Sequence, residues 1–582
     1  MFPDQKEKVA CCINFGARRR KDADGGRRQR KFTYPPSTLT ITLTRLVETE
    51  PPTLARLAGD SSSIGEREGI AFNLSAPQRY TMAGVELELL HLPDEILLLI
   101  LQYVGQQDLL ACRVACHRLA RLGLHRAVWR HRRAMGFEER KGLYNGESQY
   151  HFNCVCPVLR LAPSVRTLAL RIPEERPSPR LYTSTACGAT KLAVALSAAG
   201  GPSLLEAVAV VRHQEALGRL RHLVLHFTAQ AKNGDADAAT SELLESAALT
   251  RGLEQLEVRG FVPVDITVRA RPPGTPAHSP SLKVLIADFA YSNKSASFID
   301  YVLSVHRDTL HEVLLYGCPA VTAASVASLP KLHTLSVDAF SGMAPLSACE
   351  RLRTLSLTLW YGGMQAVPEA ADLLKSLHKL NKCDLTTWGG ADTAMVLING
   401  LAASGCSQVT RLHVATQPGS GPELCGRGRL EPLLSALAAL PALRRLYLDR
   451  VLAFSACSEF FRALETAAPA LQCVGVLLSG TVSAGGNLCP HAWLHNSAVK
   501  DAMRANPGLH VQVETQLHAA GGPCRKWNRK VPCHAEEVAS WRQGESKSKI
   551  VSLGIFAHCQ SDKCNCARFN MPGLGTVKWC KI

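Results

Sequence analysis

The chain has 582 residues, of which 46% are hydrophobic and 20% are charged, and this balance is typical of a globular protein with room for several domains. The formal charge is +17, but residues 1–81 carry 14 Lys and Arg against 9 Asp and Glu, and residues 518–582 carry 11 against 4, so the two ends hold most of it. This distribution disfavours a basic stripe on a folded nucleic-acid-binding domain, and the lack of any run of 18 apolar residues disfavours a membrane-spanning helix.

Residues 1–81 are rich in Pro, Ser, Thr, Arg and Gly and show little apolar periodicity, so we predict a disordered basic region. Its clusters Arg18–Lys21 and Arg27–Lys31 fit either a nuclear localisation signal or a solvated charged tail. A further hypothesis is that translation starts at Met82. The 21 cysteines are mostly scattered singly, as expected of reduced thiols, and we predict a cytoplasmic or nuclear protein.

The segment LPDEILLLILQYVG predicts a short helix from Pro93 to about Val104. Proline suits the first helical turn, the carboxylates of Asp94 and Glu95 favour the positive end of the helix dipole, and Gly105 ends the helix. The six aliphatic side chains of 96–101 cover most of its circumference. A helix of this kind must be covered on all sides, by the rest of the chain or by a partner.

Two further helices are predicted, one over 109–122 with Asp108 as its cap and one over about 125–135 with Trp129. Three short helices over some 45 residues are too few to build a sufficient core, so a partner is expected to supply apolar surface.

The order L-P-D-E-I-L, D-L-L-A-C-R-V-A-C-H-R-L and V-W-R resembles the F-box, a three-helix module that docks onto the Skp-type adaptor of cullin–RING ubiquitin ligases. We assign residues 88–135 to it. Ala115 and Leu119 depart from the residues usual in the family, but both keep the surface apolar. The resemblance implies that the adaptor is contacted by Leu92, Pro93, Ile96, Leu97, Ile100, Leu101, Val104, Leu109, Leu110 and Cys116.

Beyond residue 157 the pattern L-x-x-L-x-L recurs, which predicts short strands with one buried side. Its copies start at Val165, Leu220, Leu253, Leu282, Leu310, Leu332, Leu352, Leu380, Val409, Leu443 and Leu471. A proline stands two residues before a strand at Pro163, Pro280, Pro330, Pro441, Pro469 and Pro507, where it ends the preceding helix.

This α/β pattern resembles degenerate leucine-rich repeats, and we assign residues 157–517 to such a solenoid. The alternative is a conventional α/β domain with a parallel sheet. In a solenoid the outward positions of the concave sheet bind ligands. The predicted substrate-binding positions are Glu257, Ser336, Ser356, Asp384, His413, Arg445, Tyr447 and Asp449.

The basic tail of 518–582 contains six cysteines, but no C-x2-C pair. A zinc cluster, a disordered tail and a cap for the last repeat all remain open, and we assign no metal site. The chain contains no G-x-x-x-x-G-K-[ST], G-x-S-x-G or H-E-x-x-H motif. We therefore predict neither a catalytic site nor a cofactor.

The combination resembles the F-box/leucine-rich-repeat proteins, which are non-catalytic substrate receptors of SCF ubiquitin ligases. The resemblance implies three kinds of partner: a Skp-type adaptor, through it the cullin and RING subunits, and an unidentified protein substrate. Two other functions remain open, an interaction scaffold without a degradative role and a nuclear nucleic-acid-associated protein that uses its basic tails.

Overall fold

The computed structural model describes residues 89–140, 149–152, 155–172, 180–196, 201–227, 236–260, 279–289, 296–317, 323–405, 408–417, 427–478, 497–515, 551–556 and 578–581. All of them lie within the unit Glu86–Ile582. The predicted disorder of 1–81 and the question of a zinc site in the C-terminal tail concern residues that are outside this description, apart from the two short strands at 551–556 and 578–581.

Four short helices open the described chain, after a 3-10 turn at Leu89–His91: α1 (Asp94–Tyr103), α2 (Gln106–Ala115), α3 (His117–Leu122) and α4 (Arg126–Trp129). Pro93 precedes α1, and Asp94 and Glu95 lie in its first turn, as predicted. The predicted second helix is wrong in two respects, because α2 starts before Asp108 and the helix breaks at Cys116. The backbone of Cys116 is extended (φ −160°, ψ 161°), and its Sγ accepts a hydrogen bond from Leu119 N at 3.4 Å.

The predicted third helix is also too long. α4 ends at Trp129, and Arg133–Met135 form a strand instead. This strand, β1, pairs in parallel with β4 (Ser164–Ile172), so that the chain passes directly from the helical region into the sheet.

The main sheet contains 14 parallel strands, followed by β17, antiparallel to β16, and by β18. Its strands are β1 (Arg133–Met135), β4 (Ser164–Ile172), β5 (Gly188–Leu196), β6 (His222–Phe227), β7 (Gln255–Gly260), β8 (Val284–Phe289), β9 (Glu312–Tyr316), β10 (Thr334–Asp338), β11 (Thr354–Leu359), β12 (Lys382–Thr387), β13 (Arg411–Thr416), β14 (Arg445–Asp449), β15 (Cys473–Leu478), β16 (His510–Thr515), β17 (Val551–Phe556) and β18 (Lys578–Lys581). The strands β2 (Phe137–Arg140) and β3 (Gln149–Phe152) form a separate antiparallel pair.

Helices connect most of the parallel strands, and neighbouring helices such as α7 and α8, or α11 and α12, pack against each other. They are α5 (Cys156–Leu161), α6 (Leu181–Ser184), α7 (Gly201–Ala216), α8 (Ala236–Ala248), α9 (Ala296–Val305), α10 (Ala323–Ala327), α11 (Val367–Ser376), α12 (Gly390–Ala403), α13 (Arg427–Ala438), α14 (Phe454–Ala467) and α15 (Ser497–Ala505). Short 3-10 helices occur at Ala344–Ala348 and Tyr361–Ala366.

The strand order settles the arrangement of the sheet. From β4 to β16 each strand lies beside its successor in sequence, whereas a doubly wound sheet reverses direction at a switch point. The result is a solenoid-like α/β arrangement in which each strand–helix unit covers the next. Every predicted L-x-x-L-x-L segment overlaps a strand, while β1, β5 and β16 were absent from that series. The leucine-rich-repeat assignment itself stays a prediction.

Leucines of the repeated pattern stack in register beneath the sheet. Leu335 on β10 pairs with Leu355 on β11, and Leu355 pairs in turn with Cys383 on β12. The row continues through Leu412 on β13 and Leu446 on β14. All five side chains are fully buried. Since strand side chains alternate, the residues on either side of each of them point to the opposite surface of the sheet.

Candidate functional site

The helical region has a small core of its own. Leu97 and Leu101 on α1, Leu109 on α2 and Trp129 on α4 are all at most 3% exposed, and the indole Nε1 of Trp129 donates a hydrogen bond to Gly123 O at 2.6 Å. Three of the predicted adaptor contacts, Leu97, Leu101 and Leu109, are therefore core residues of the helical region, and their role in adaptor binding stays a prediction.

Other apolar side chains of the same helices remain in solvent. On α1, Ile96 is 42%, Leu99 53% and Tyr103 72% exposed, and on α2 Val114 is 88% exposed. We call these four residues the apolar docking surface. Ile96, Leu99 and Tyr103 are spaced by three and seven residues, so they share one side of the helix. Of these three residues only Ile96 was a predicted contact, although helical spacing from Ile96 would have indicated Leu99 and Tyr103 as well.

The remaining predicted contact residues lie at the surface to different extents. Pro93 is exposed, whereas the other five are half-buried: Leu92, Ile100, Val104, Leu110 and Cys116. Large apolar side chains left exposed on two neighbouring short helices are typical of a protein–protein interaction site.

An ionic contact fixes the start of α1 against α3. The Nη2 of Arg118 lies 2.6 Å from Asp94 Oδ1, and the Nη2 of Arg121 lies 2.9 Å from Asp94 Oδ2. Arg118 also donates to the carbonyl oxygens of Leu90 and Leu92. The hydrogen bond from Arg118 holds the pKa of the Asp94 carboxyl below its ordinary value. The contact orients α1 and thereby its exposed side.

Comparison with known proteins identifies this region. Residues 89–134 match the F-box-like family model. F-box domains generally bind Skp-type adaptors, so the match points to an SCF-type adaptor-binding role for residues 89–134. The match confirms the F-box resemblance for these residues and does not extend to the repeats. No curated protein matches the chain.

The F-box-like region is joined to the sheet through Arg132. Its guanidinium donates from Nη2 to Leu101 O at 2.6 Å and from Nε to Val128 O at 2.8 Å, and it lies 5.6 Å from the centre of the Trp129 ring. The carbonyl oxygen of the same residue accepts from Arg166 N at 2.8 Å, at the start of β4. One residue therefore contacts the last turn of α1, α4 and the sheet.

The concave side of the sheet carries the predicted substrate-binding positions. Six of them lie on one row that crosses the strands in register: Glu257, Ser336, Ser356, Asp384, His413 and Tyr447. Arg445 and Asp449 lie on the same strand as Tyr447, two residues before and after it, and hence on the two neighbouring rows. The repeated pattern predicted these positions because each of them is next to a buried leucine in sequence, and successive side chains of a strand point to opposite sides of the sheet.

Three of these residues form one cluster together with Arg411. The carboxylate of Asp384 lies 3.6 Å from His413 Nδ1 and 3.9 Å from Arg411 Nη2. The Tyr447 ring stands edge-on to His413, with ring centres 6.2 Å apart, and the Arg411 guanidinium is 5.6 Å from the Tyr447 centre. Glu257 pairs instead with Arg259, and the Ser336 hydroxyl donates to the Tyr316 hydroxyl at 2.9 Å. The predicted residues thus belong to several local groups.

Burial controls the ionisation of the groups at one end of this surface. It raises the pKa of Asp449, in spite of the Arg450 guanidinium 3.6 Å away, and it raises the pKa of the Tyr447 phenol. Burial also raises the pKa of Cys473 to about 11, so this thiol stays protonated near neutral pH and is a poor nucleophile. Tyr447 and Cys473 are buried, so of these three groups only the Asp449 carboxyl remains accessible to a ligand.

Within the described residues, no group of three or more His, Cys, Asp or Glu side chains is arranged to hold a metal ion. No helix in the same part of the chain is long and apolar enough to cross a membrane.

Proposed function

We propose that this protein is the substrate-recognition subunit of an SCF-type cullin–RING ubiquitin ligase. The main support for the proposal is that two findings concern the same residues. The F-box-like match covers residues 89–134, and the same residues leave Leu99, Tyr103 and Val114 more than half exposed on α1 and α2. In the proposal, a Skp-type adaptor covers these side chains and links the chain to the cullin and RING subunits.

The second half of the proposal concerns the concave side of the sheet, which we assign to a protein substrate. Parallel strands stacked in sequence offer a long row of outward side chains, among them Ser356, Asp384 and His413. Arrays of this kind bind partners along their concave surface. We also propose that residues 157–517 are leucine-rich repeats. The proposed location of the protein is the cytoplasm, with the nucleus as a second compartment.

The mechanism in this proposal is proximity. The receptor holds the lysines of a substrate near a ubiquitin-charged conjugating enzyme, and so raises their effective concentration. The chain itself then needs no catalytic residue. A rigid joint between the docking helices and the substrate surface improves such positioning, and the bonds of Arg132 to α1 and α4 supply one.

The test is affinity purification of the full chain from cells, comparing Leu99→Asp with Leu205→Asp. The two leucines are matched in exposure, 53% and 50%, but Leu205 lies on α7, away from the F-box-like region. Neither substitution buries a charge, so both variants are expected to fold. Leu97→Asp is unsuitable, because Leu97 is 1% exposed and a carboxylate there would disrupt the core.

We expect the wild type and Leu205→Asp to recover the Skp-type adaptor and cullin, and Leu99→Asp to lose both. Equal recovery by Leu99→Asp would refute adaptor docking through α1. Proteins that are recovered by all three forms are substrate candidates. If the levels of all of them stay unchanged on proteasome inhibition, the protein acts as a scaffold without a degradative role.

A further inference from the structure

The N-terminal part of the concave surface differs from the remainder in charge and shape. It is a groove across β1 and β4–β7 whose floor consists of small or unbranched apolar side chains and Val224: Met135, Ala169, Ala193 and Val224. These four residues lie on one registered row. Ala169 is fully buried, whereas Met135, Ala193 and Val224 are half-buried and remain accessible to an extended chain that crosses the row.

Basic side chains line this groove on both sides of the floor. Arg133, Arg166 and Lys191 lie along the side where the strands begin, and none of them forms an ion pair with a described carboxylate. Arg259 and His226 lie on the other side, toward the strand ends, and Glu257 is paired with Arg259. Arg133, Arg166 and Lys191, three cations without a described carboxylate partner beside the apolar floor, create a positive potential that attracts anionic ligands.

We propose that this basic groove binds an acidic, extended peptide segment of another protein. The inference deepens the proposed function, on which it depends for calling that protein a substrate. Both ends of this chain are themselves net positive, with 14 Lys and Arg against 9 Asp and Glu in 1–81 and 11 against 4 in 518–582. They are not complementary to the groove, and the occupant therefore comes from another molecule.

Shape favours a peptide over a nucleic acid. Single-stranded nucleic acids bind mainly by stacking their bases on aromatic side chains. The groove is lined by Arg, Lys, His, Thr, Gln, Glu and apolar residues, and no Phe, Tyr or Trp is among the described residues that line it. An extended peptide, in contrast, can place apolar side chains on the alanine floor and carboxylates toward the two basic sides.

The position of the groove supports the same assignment. It begins at β1, the strand that follows the F-box-like helices within a few residues. A segment bound there lies at the end of the sheet nearest the proposed adaptor. A receptor that presents its substrate to an attached enzyme needs this proximity.

The test uses the full chain and a fluorescein-labelled peptide of alternating Glu and Ala, about eight residues long, enough to cross five strands spaced about 4.8 Å apart. Fluorescence anisotropy at near-physiological salt is compared for the wild type, Arg166→Glu/Lys191→Glu and the matched control Lys382→Glu/Arg444→Glu. Arg444 lies three residues before Tyr447, as Arg166 does before Ala169, and Lys382 lies two residues before Asp384, as Lys191 does before Ala193. Ala169, Ala193, Asp384 and Tyr447 belong to one registered row of the sheet. The net change in charge is equal in the two variants.

We expect the groove variant to bind the Glu-Ala peptide at least about tenfold more weakly than the wild type, and the control to stay within about twofold. A Gln-Ala peptide should bind none of the three. Equal affinity of the groove variant and the wild type would overturn the proposal, since it would place the binding on the basic ends of the chain.

A second probe distinguishes the two classes of ligand. If an oligouridylate of about eight nucleotides binds the wild type more tightly than the peptide and loses affinity in the groove variant, the groove is a nucleic-acid site and the peptide assignment fails. The groove variant is expected to recover the Skp-type adaptor as the wild type does. Failure of the groove proposal is thereby separated from failure of adaptor docking, which Leu99→Asp reports.

Discussion

Leu97 and Leu99 are two residues apart on α1, and one is buried whereas the other is exposed to solvent. Leu97 is 1% exposed, and Leu99 is 53% exposed. The difference follows from helical geometry, since two residues correspond to a turn of about 200° around the axis. Because residues 96–101 are all aliphatic, the sequence does not distinguish the two leucines, and the difference arises from the packing of α3 and α4 against one side of the helix.

Asp449 illustrates how burial controls ionisation on the concave surface. Because burial raises its pKa in the folded protein, the native state binds more protons than the unfolded chain in the window above the ordinary carboxyl pKa of about 3.9. The contribution of this group to the free energy of unfolding therefore falls as the pH rises from that value through the raised pKa, and it is constant above.

We predict from this that Asp449→Asn stabilises the protein near neutral pH and has little effect at about pH 4. The amide removes the charge whose burial is unfavourable. Melting temperatures of the two forms, measured at several pH values between these limits, should diverge as the pH increases. Parallel curves would show that the Arg450 guanidinium already compensates for the burial of the carboxylate.

At the scale of elements, helices α11 and α12 approach each other through Gly400. A Cβ at this position would lie 2.6 Å from Ala371 O and 3.0 Å from Ala371 Cα, both backbone atoms. In an isolated helix Ala is favoured over Gly by about 1 kcal/mol, whereas overpacking destabilises by about 1–3 kcal/mol. We expect the steric repulsion to exceed the gain in helix propensity, because the backbone of α11 cannot move without disturbing its own packing.

Gly400→Ala is therefore predicted to destabilise the repeats around α11 and α12, seen as a lower melting temperature and faster amide exchange in both helices. Gly362→Ala is the control, since a Cβ there would meet nothing within 4 Å. A stability equal to or above that of the wild type for Gly400→Ala would mean that helix propensity outweighs the contact.

The joint between the F-box-like region and the sheet gives a prediction of its own. Arg132→Ala removes the donors to Leu101 O and Val128 O, and each buried carbonyl left without a partner destabilises by about 1–3 kcal/mol. We expect faster amide exchange in the last turn of α1 and in α4. Arg130→Ala, which alters an exposed neighbour, should leave both rates unchanged, and equal rates in the two variants would contradict a role of Arg132 in the joint.

The sequence predicted elements wherever local chemistry and periodicity agree. Pro93, Asp94 and the aliphatic run specify α1, and the L-x-x-L-x-L pattern placed eleven strands and the row containing Asp384 and His413. The sequence-based predictions failed where the packing of distant segments determines the local structure. The apolar periodicity continues through Cys116, where the helix breaks, and the strand β5 lacks the repeated leucine pattern.

The contacts between side chains of the site could not be predicted from the sequence, for a related reason. Arg411 reaches both Asp384 and Tyr447, which depends on the spacing of three strands and on the lengths of the side chains. The basic groove was missed because two of the five strands that form it, β1 and β5, were not among the predicted strands.

At the scale of the molecule, the sequential strand order makes the sheet a nearly one-dimensional array, in which each unit contacts mainly its neighbours. A local defect should therefore spread only a short distance. Leu192 on β5 and Leu446 on β14 are both fully buried, and truncation of such a leucine to alanine destabilises by about 2–5 kcal/mol.

We predict that Leu192→Ala accelerates amide exchange in β4–β7 and leaves β12–β15 protected, and that Leu446→Ala gives the reverse pattern. Hydrogen exchange followed by mass spectrometry resolves the two ends of the sheet. A uniform acceleration along the whole sheet in either variant would show that the repeats unfold as a single cooperative unit.

The short strand Arg133–Met135 also has a protective effect. It pairs with Thr167–Ala169 in the middle of β4, where the free N–H and C=O groups would otherwise form an open sheet edge able to recruit strands from other molecules. A fragment cut after Met135 loses this cover and is expected to aggregate, whereas one that keeps residues 89–135 stays shielded. The helices that we assign to adaptor docking are thus followed directly by the strand that we expect to protect the edge of the sheet against aggregation.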